Sequence, residues 1–360
     1  MDMQPPAQDR DHPSYDVAVI GAGVVGCAVF REFTLAGARC VLIERDADIL
    51  NGASKGNSAI LHTGFDATPG SLEAACLREG YRRYHDLHAR LNLPLIRTGA
   101  MVVAWKVQEL QALAGIVERA HANGVNDVER FGPAAVMTRE PQLATDALGG
   151  VWVPGESIID PWSAPLAYAR QGIANGGTVL RGTAVSGGTL GEDGWTLHTA
   201  AGPLRARVAI NCAGNYADLV EAIARPSPFA VRPRKGQFVV FDKSASCLAR
   251  TIILPVPSER TKGVVITPTV FGNLLVGPTA EDQEERSTAT VEEATLAALI
   301  DTGRRILPGL AAHPVTAVYA GLRPATQFKD YQIEVLPERR WITAAGIRST
   351  GLTGALGIAA

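Results

Sequence analysis

Tyr15-Asp-Val-Ala-Val-Ile-Gly-Ala-Gly-Val-Val-Gly-Cys-Ala-Val-Phe30, with Arg39-Cys-Val-Leu-Ile-Glu-Arg45 behind it, is the stretch that decides the fold. The apolar run Val17 to Ile20 reads as a buried parallel strand, and Gly21-x-Gly23-x-x-Gly26 follows it at once. A helix is expected from Val24 to about Ala36, opening on Val24 and Val25. A second apolar strand, Cys40 to Ile43, then ends at Glu44, 23 residues after Gly21. Such a unit holds an adenine dinucleotide. Gly21 permits the tight turn, Gly23 lets backbone approach a pyrophosphate, and Gly26 lets helix and strand pack closely. The helix N-terminus offers unpaired N–H groups and the positive end of its dipole. Glu44 would accept hydrogen bonds from ribose hydroxyls, which disfavours the 2′-phosphate of NADP. The motif by itself leaves NAD and FAD both open.

The rest of the chain bounds the class. With 360 residues there is room for two lobes sharing one ligand. Hydrophobic residues make up 46%, charged residues 19%, and formal net charge is −2, so nucleic acid is not an expected partner. Five cysteines (Cys27, Cys40, Cys76, Cys212, Cys247) form no CxxC pair, which fits reduced thiols in a cytosol and no metal site. Cys27, Cys40 and Cys212 lie in apolar runs and are expected to pack. No secretory pattern opens the chain and no apolar run has the length of a membrane span, so the expected location is cytoplasmic, with a peripheral membrane contact left open.

In chain order, helices are expected from Ser71 to about Arg90, Val107 to Ala122, Trp162 to about Ala174, Ala217 to about Ala224 and Val291 to Ile306. Strands are expected at Ile96 to Trp105, Gly149 to Val153, Val179-Leu180, and as a pair at Trp195 to His198 and Leu204 to Val208. Beyond Pro226, short alternating segments (Gln237 to Phe241, Arg250 to Leu254, Gly263 to Thr267, Asn273 to Val276) suggest an antiparallel sheet. The fold class is therefore α/β: a Rossmann-like dinucleotide domain built from discontinuous segments (15–94, 155–225 and 320–360) with an inserted antiparallel-sheet substrate domain (95–154 and 226–319).

Four motifs now stand in order: Gly21 to Gly26 with Glu44; Ser54-Lys-Gly-Asn-Ser-Ala-Ile-Leu-His62; Asn211-Cys-Ala-Gly-Asn-Tyr-Ala-Asp218; and Gly346-Ile-Arg-Ser-Thr-Gly-Leu-Thr353. With these the chain resembles the FAD-dependent oxidoreductases of the D-amino-acid-oxidase-like superfamily. Within it, the likeness is greatest to the flavin-dependent glycerol-3-phosphate dehydrogenases and oxidases, with L-2-hydroxyglutarate dehydrogenases as near relatives. The resemblance implies FAD held without a covalent link. It places Arg45, Ser54, Asn57, Ser58, Val185, Ala213, Gly214, Gly321, Arg323, Gly346, Ile347, Ser349, Thr350, Gly351, Leu352 and Thr353 around the cofactor, beside the glycines, Val24, Val25 and Glu44.

For the chemistry, the resemblance implies His62 as the base, Arg323 as the clamp on an anionic substrate, Lys262 as a second cation and Ser349 as a hydrogen-bonding group. Neutral imidazole suits proton removal near neutral pH, and the guanidinium fork suits phosphate or carboxylate equally. Lys262, together with Val265 where the hydroxyglutarate type carries histidine, favours a phosphorylated polyol. The expected activity is oxidation of a secondary alcohol by hydride transfer to flavin N5. The alternatives are a 2-hydroxyacid dehydrogenase or oxidase, and an FAD-binding electron-relay subunit without its own substrate. Oxygen, a quinone or a partner protein are all open as acceptor.

Overall fold

The expected N-terminal strand forms as Ser14–Ile20 and sits at the centre of a sheet. The computed structural model describes residues 14–257 and 263–360. On one side Ser14–Ile20 pairs in parallel with Cys40–Ile43, which pairs in parallel with Thr178–Leu180. On the other it runs parallel to Gly202–Asn211, whose end pairs in parallel with Trp341–Ala345. Gln332–Leu336 adds an antiparallel edge, and the hairpin Val185–Gly191/Gly194–Thr199 extends the outer half of Gly202–Asn211. Parallel strands buried on both faces need continuous apolar runs, and Cys40–Ile43 is buried throughout.

Helix Val24–Leu35 covers one face of this sheet, flanked by Ser163–Ala174 and the last helix, Gly351–Ile358. Small residues allow close approach. A Cβ on Gly172 would strike the Phe30 ring at 2.3 Å, and one on Gly80 of helix Leu72–Leu87 would meet the Thr353 carbonyl oxygen at 2.0 Å. The opposite face packs around Trp195 and Trp341. Cys27, Cys40 and Cys212 are buried as expected; burial pushes the Cys212 thiol up to about 12 and raises the other two.

One buried carboxylate ties this lobe together. Glu221, on helix Ala217–Ala224, accepts from Asn211 Nδ2, Trp341 Nε1, Thr343 Oγ1 and Arg225 Nε. Leucine there would leave all four donors without their shared acceptor. Glu221→Leu is expected to destabilise the protein by about 3–5 kcal/mol, read as a lower denaturant midpoint.

A second sheet of nine strands holds Ala100–Ala104, Gly149–Val153 and the strands beyond residue 226. Val231–Phe241 pairs along its whole length with Val315–Thr326. All neighbours are antiparallel except Ile252–Pro255 on Ala100–Ala104, a parallel pair where a wholly antiparallel sheet was expected. These two strands lie far apart in sequence, so no hairpin dictates their direction. The strand expected from Ile96 is interrupted as well: Gly99 turns with φ +65°, and a Cβ there would lie 1.9 Å from the Trp152 ring. Helix Pro133–Arg139 and strand Glu129–Phe131 were not expected.

Candidate active site

The first glycine turn is built as its sequence requires. Gly21 has φ +103°, and a Cβ on it would lie 2.6 Å from the Cys212 carbonyl oxygen. On Gly26 it would lie 1.8 Å from the Gly21 oxygen, and on Gly23 3.1 Å from Ser54 Oγ. Gly23 caps the helix without a side-chain hydrogen bond, and the helix has no acidic side chain in its first turn. Val24 N–H donates to Ser54 Oγ (2.9 Å), so Ser54 holds the second motif against the helix start; Val25 is buried behind it. Glu44 is buried and accepts from the Ala22 and Asp46 N–H groups at 2.8 and 3.0 Å. Each oxygen keeps a lone pair for a ribose hydroxyl.

Other residues were expected beside the cofactor. Arg45 lies over the Tyr216 ring at 3.8 Å, beside the Ala213–Gly214 turn, where Gly214 has φ +55°. Thr183 N–H donates to the Glu44 carbonyl at 2.8 Å, two residues before Val185. Asn57 folds the second motif on itself, donating to the Ser54 carbonyl and accepting from Ala59 N–H, both at 2.7 Å, with Ser58 half-buried between them. Gly56 and Gly321 touch backbone to backbone: a Cβ on either would lie 2.4–2.6 Å from atoms of the other. Gly321 therefore has a packing reason of its own.

At the far end, Gly346 turns with φ +67° and leads through buried Ile347 into helix Gly351–Ile358. Thr350, at the helix cap, bonds Tyr331 and Glu73 (2.7 Å each), so its hydroxyl is committed to the scaffold. Thr353 Oγ1 accepts from the His62 backbone N–H at 3.0 Å, directly joining the second and fourth motifs. Gly351 and Leu352 are half-buried, and Ser349 is exposed, beside half-buried Arg348.

His62 stands at the meeting of these segments with a side chain 20% exposed. Its Nδ1 lies 2.9 Å from Oε2 of Glu156, whose side chain is fully buried. Oε1 of Glu156 accepts from Thr63 N–H (2.6 Å) and Thr63 Oγ1 (2.8 Å). Sequence reading missed Glu156, a single acid 94 residues from its partner with no motif around it.

Arg323 is half-buried on Val315–Thr326, yet among the described residues it forms no salt bridge. Its donors go to the carbonyls of Arg234 (3.3 Å), Lys235 (3.2 Å) and Thr279 (2.6 Å). Burial pushes its pKa down to about 10, with the nearby charges of Arg234 and Arg348 adding to the shift. It is still a cation at neutral pH, and the concentration of positive charge favours an anion here. Arg234 and Lys235 lie within strand Val231–Phe241, which starts six residues before the expected Gln237, and are ion-paired with Asp282 and with Glu281 and Glu292. Lys262 lies outside the described residues.

A glycine cradle with no room for a side chain, an uncapped helix start and a buried strand-end carboxylate fit the ADP half of FAD. The Gly346–Thr353 segment and His62 fit its flavin end. The family profile described as FAD dependent oxidoreductase matches residues 16–360. Glycerol 3-phosphate dehydrogenase of Caloramator mitchellensis is 32% identical over 342 residues, 95% of this chain and 71% of that protein. The solved structure of dithionite-reduced L-alpha-glycerophosphate oxidase of Mycoplasma pneumoniae with FAD bound superposes with a TM-score of 0.90 at 27% identity, over 96% of this chain and 93% of that one. Mitochondrial L-2-hydroxyglutarate dehydrogenase of Caenorhabditis elegans is 28% identical over 286 residues, 77% of this chain and 66% of that protein. The chain belongs to the FAD-dependent oxidoreductase family. No helix among the described residues is long and apolar enough to cross a membrane.

Proposed function

We propose that this protein oxidises the secondary alcohol of a small phosphorylated polyol, with glycerol 3-phosphate the first substrate to test. The observation that carries the reading is Arg323, a half-buried cation whose hydrogen bonds among the described residues all go to carbonyls. Such a group gains most from an incoming anion. Arg323 binds the phosphate, Arg348 adds to the field around it, and Lys262 contributes a second cation. His62 takes the hydroxyl proton, and Ser349 hydrogen-bonds substrate or cofactor. Bound FAD supplies the two-electron acceptor that receives the hydride at N5. Gly21, Gly23, Val24, Val25, Gly26, Glu44, Arg45, Ser54, Asn57, Ser58, Val185, Ala213, Gly214, Gly321, Arg323, Gly346, Ile347 and Ser349 to Thr353 hold that cofactor, and the two-lobe division expected from the sequence belongs to the same proposal.

Anaerobic bleaching of the flavin by glycerol 3-phosphate tests it. Bleaching by L-2-hydroxyglutarate alone transfers the reading to a 2-hydroxyacid, and bleaching by neither rejects both. Arg323→Ala is expected to raise the half-saturating substrate concentration by about 10- to 150-fold, the equivalent of roughly 1.5–3 kcal/mol for a lost charged hydrogen bond. The limiting rate of flavin reduction should move much less.

A further inference from the structure

We infer that Glu156 is a positioning residue for the reaction: it fixes the ring of His62 in the tautomer that leaves Nε2 unprotonated, and it stabilises the imidazolium that forms. The inference rests on the reading of His62 as the base. A neutral imidazole carries one N–H, and which nitrogen bears it is set by the partner of the other. Glu156 presents a carboxylate, which only accepts, 2.9 Å from Nδ1. The ring proton therefore sits on Nδ1, and proton removal falls to Nε2. As the alcohol is oxidised, its hydroxyl proton would move to Nε2, the O–H electron pair would become the second bond of the carbonyl, and the carbinol hydrogen would leave with its electron pair as hydride, for which the FAD of the family is the two-electron acceptor. The ring gains one positive charge beside the buried Glu156 side chain, the division of labour of the aspartate in a serine-protease triad.

The rest of the site is arranged to hold that carboxylate still. Thr63 donates twice to Oε1, the Glu156 carbonyl accepts from Gly99 N–H at 2.8 Å, and Tyr81 OH donates to the neighbouring Gly155 carbonyl at 2.8 Å. Thr63 also makes glutamine an unusually clean probe. In Glu156→Gln the side-chain oxygen is required by the Thr63 N–H, so the amide NH2 is turned toward His62. It then donates to Nδ1 and drives the ring proton to Nε2, the wrong tautomer, with shape and hydrogen-bond count kept.

The experiment compares holoenzyme and Glu156→Gln by anaerobic rapid-mixing reduction with glycerol 3-phosphate, and by ¹⁵N NMR of the histidine rings. Expected are a limiting rate lower by about 10²- to 10⁴-fold with little change in half-saturation, and a His62 proton on Nδ1 in the wild type and on Nε2 in the variant. A purely structural Glu156 would not invert the tautomer. A wild-type ring protonated on Nε2 overturns the inference without any variant needing to fold, as does Glu156→Gln reducing flavin at the wild-type rate. Failure of the underlying reading looks different: His62→Ala would then reduce flavin normally whatever the tautomer.

Discussion

His62→Ala slows anaerobic flavin reduction by about 10²-fold or more, the contribution expected of a positioned base. The cofactor should stay bound, because His62 reaches Thr353 through its backbone N–H, which alanine keeps. Glu156 retains both Thr63 donors and loses only the Nδ1 contact, so the local turn has reason to survive. Loss of rate with retained yellow colour and near-normal half-saturation is thus the signature sought in rapid-mixing traces. Near-normal reduction would remove His62 from the role. A variant that loses flavin as well would assign the residue to cofactor retention instead.

Gly26→Ala is the second large effect. The added Cβ would sit 1.8 Å from the Gly21 carbonyl oxygen, which is backbone and has no rotamer in which to retreat. Either the helix lifts from the strand or the turn opens, and both disturb the surface proposed to meet the pyrophosphate. Overpacking of this kind costs about 1–3 kcal/mol, occasionally more, enough to weaken FAD binding by roughly 5- to 150-fold where it falls on the bound state. The flavin-to-protein absorbance ratio after dialysis reads this directly. Gly115→Ala is the matched control: it lies within helix Val107–Ala122, nothing stands within 4 Å of its added Cβ, and it should keep full flavin content. An unchanged ratio in Gly26→Ala would show that the turn tolerates the displacement.

What the sequence disclosed depended on how locally each feature is written. The first helix, the strand after it and helix Val107–Ala122 stand within a residue or so of their expected bounds, and the first strand ends where expected but starts three residues earlier, at Ser14, because period and glycine spacing lie in contiguous chain. His62 came from a motif beside it. Glu156 did not, since the pairing spans 94 residues and a lone acid carries no periodic signature. The break at Gly99 was hidden for a similar reason: the Trp152 ring that demands it arrives from a neighbouring strand. The parallel pair of Ile252–Pro255 with Ala100–Ala104 depends on which chain ends meet, and strand propensity says nothing of that. Arg323 was legible as a cation, but its isolation among carbonyls was not.

The touching glycines 56 and 321 set a limit on how this enzyme can be retuned. With no side chain on either backbone, the gap between the second motif and the strand bearing Arg323 is already at its minimum, and any substitution at one position is met by the main chain of the other. Neither residue can shrink to rescue its partner. A change of substrate range by sliding that strand is therefore closed to single-step mutation. Selection, natural or directed, has to work on the side chains projecting from a fixed frame, with Arg323 the first of them.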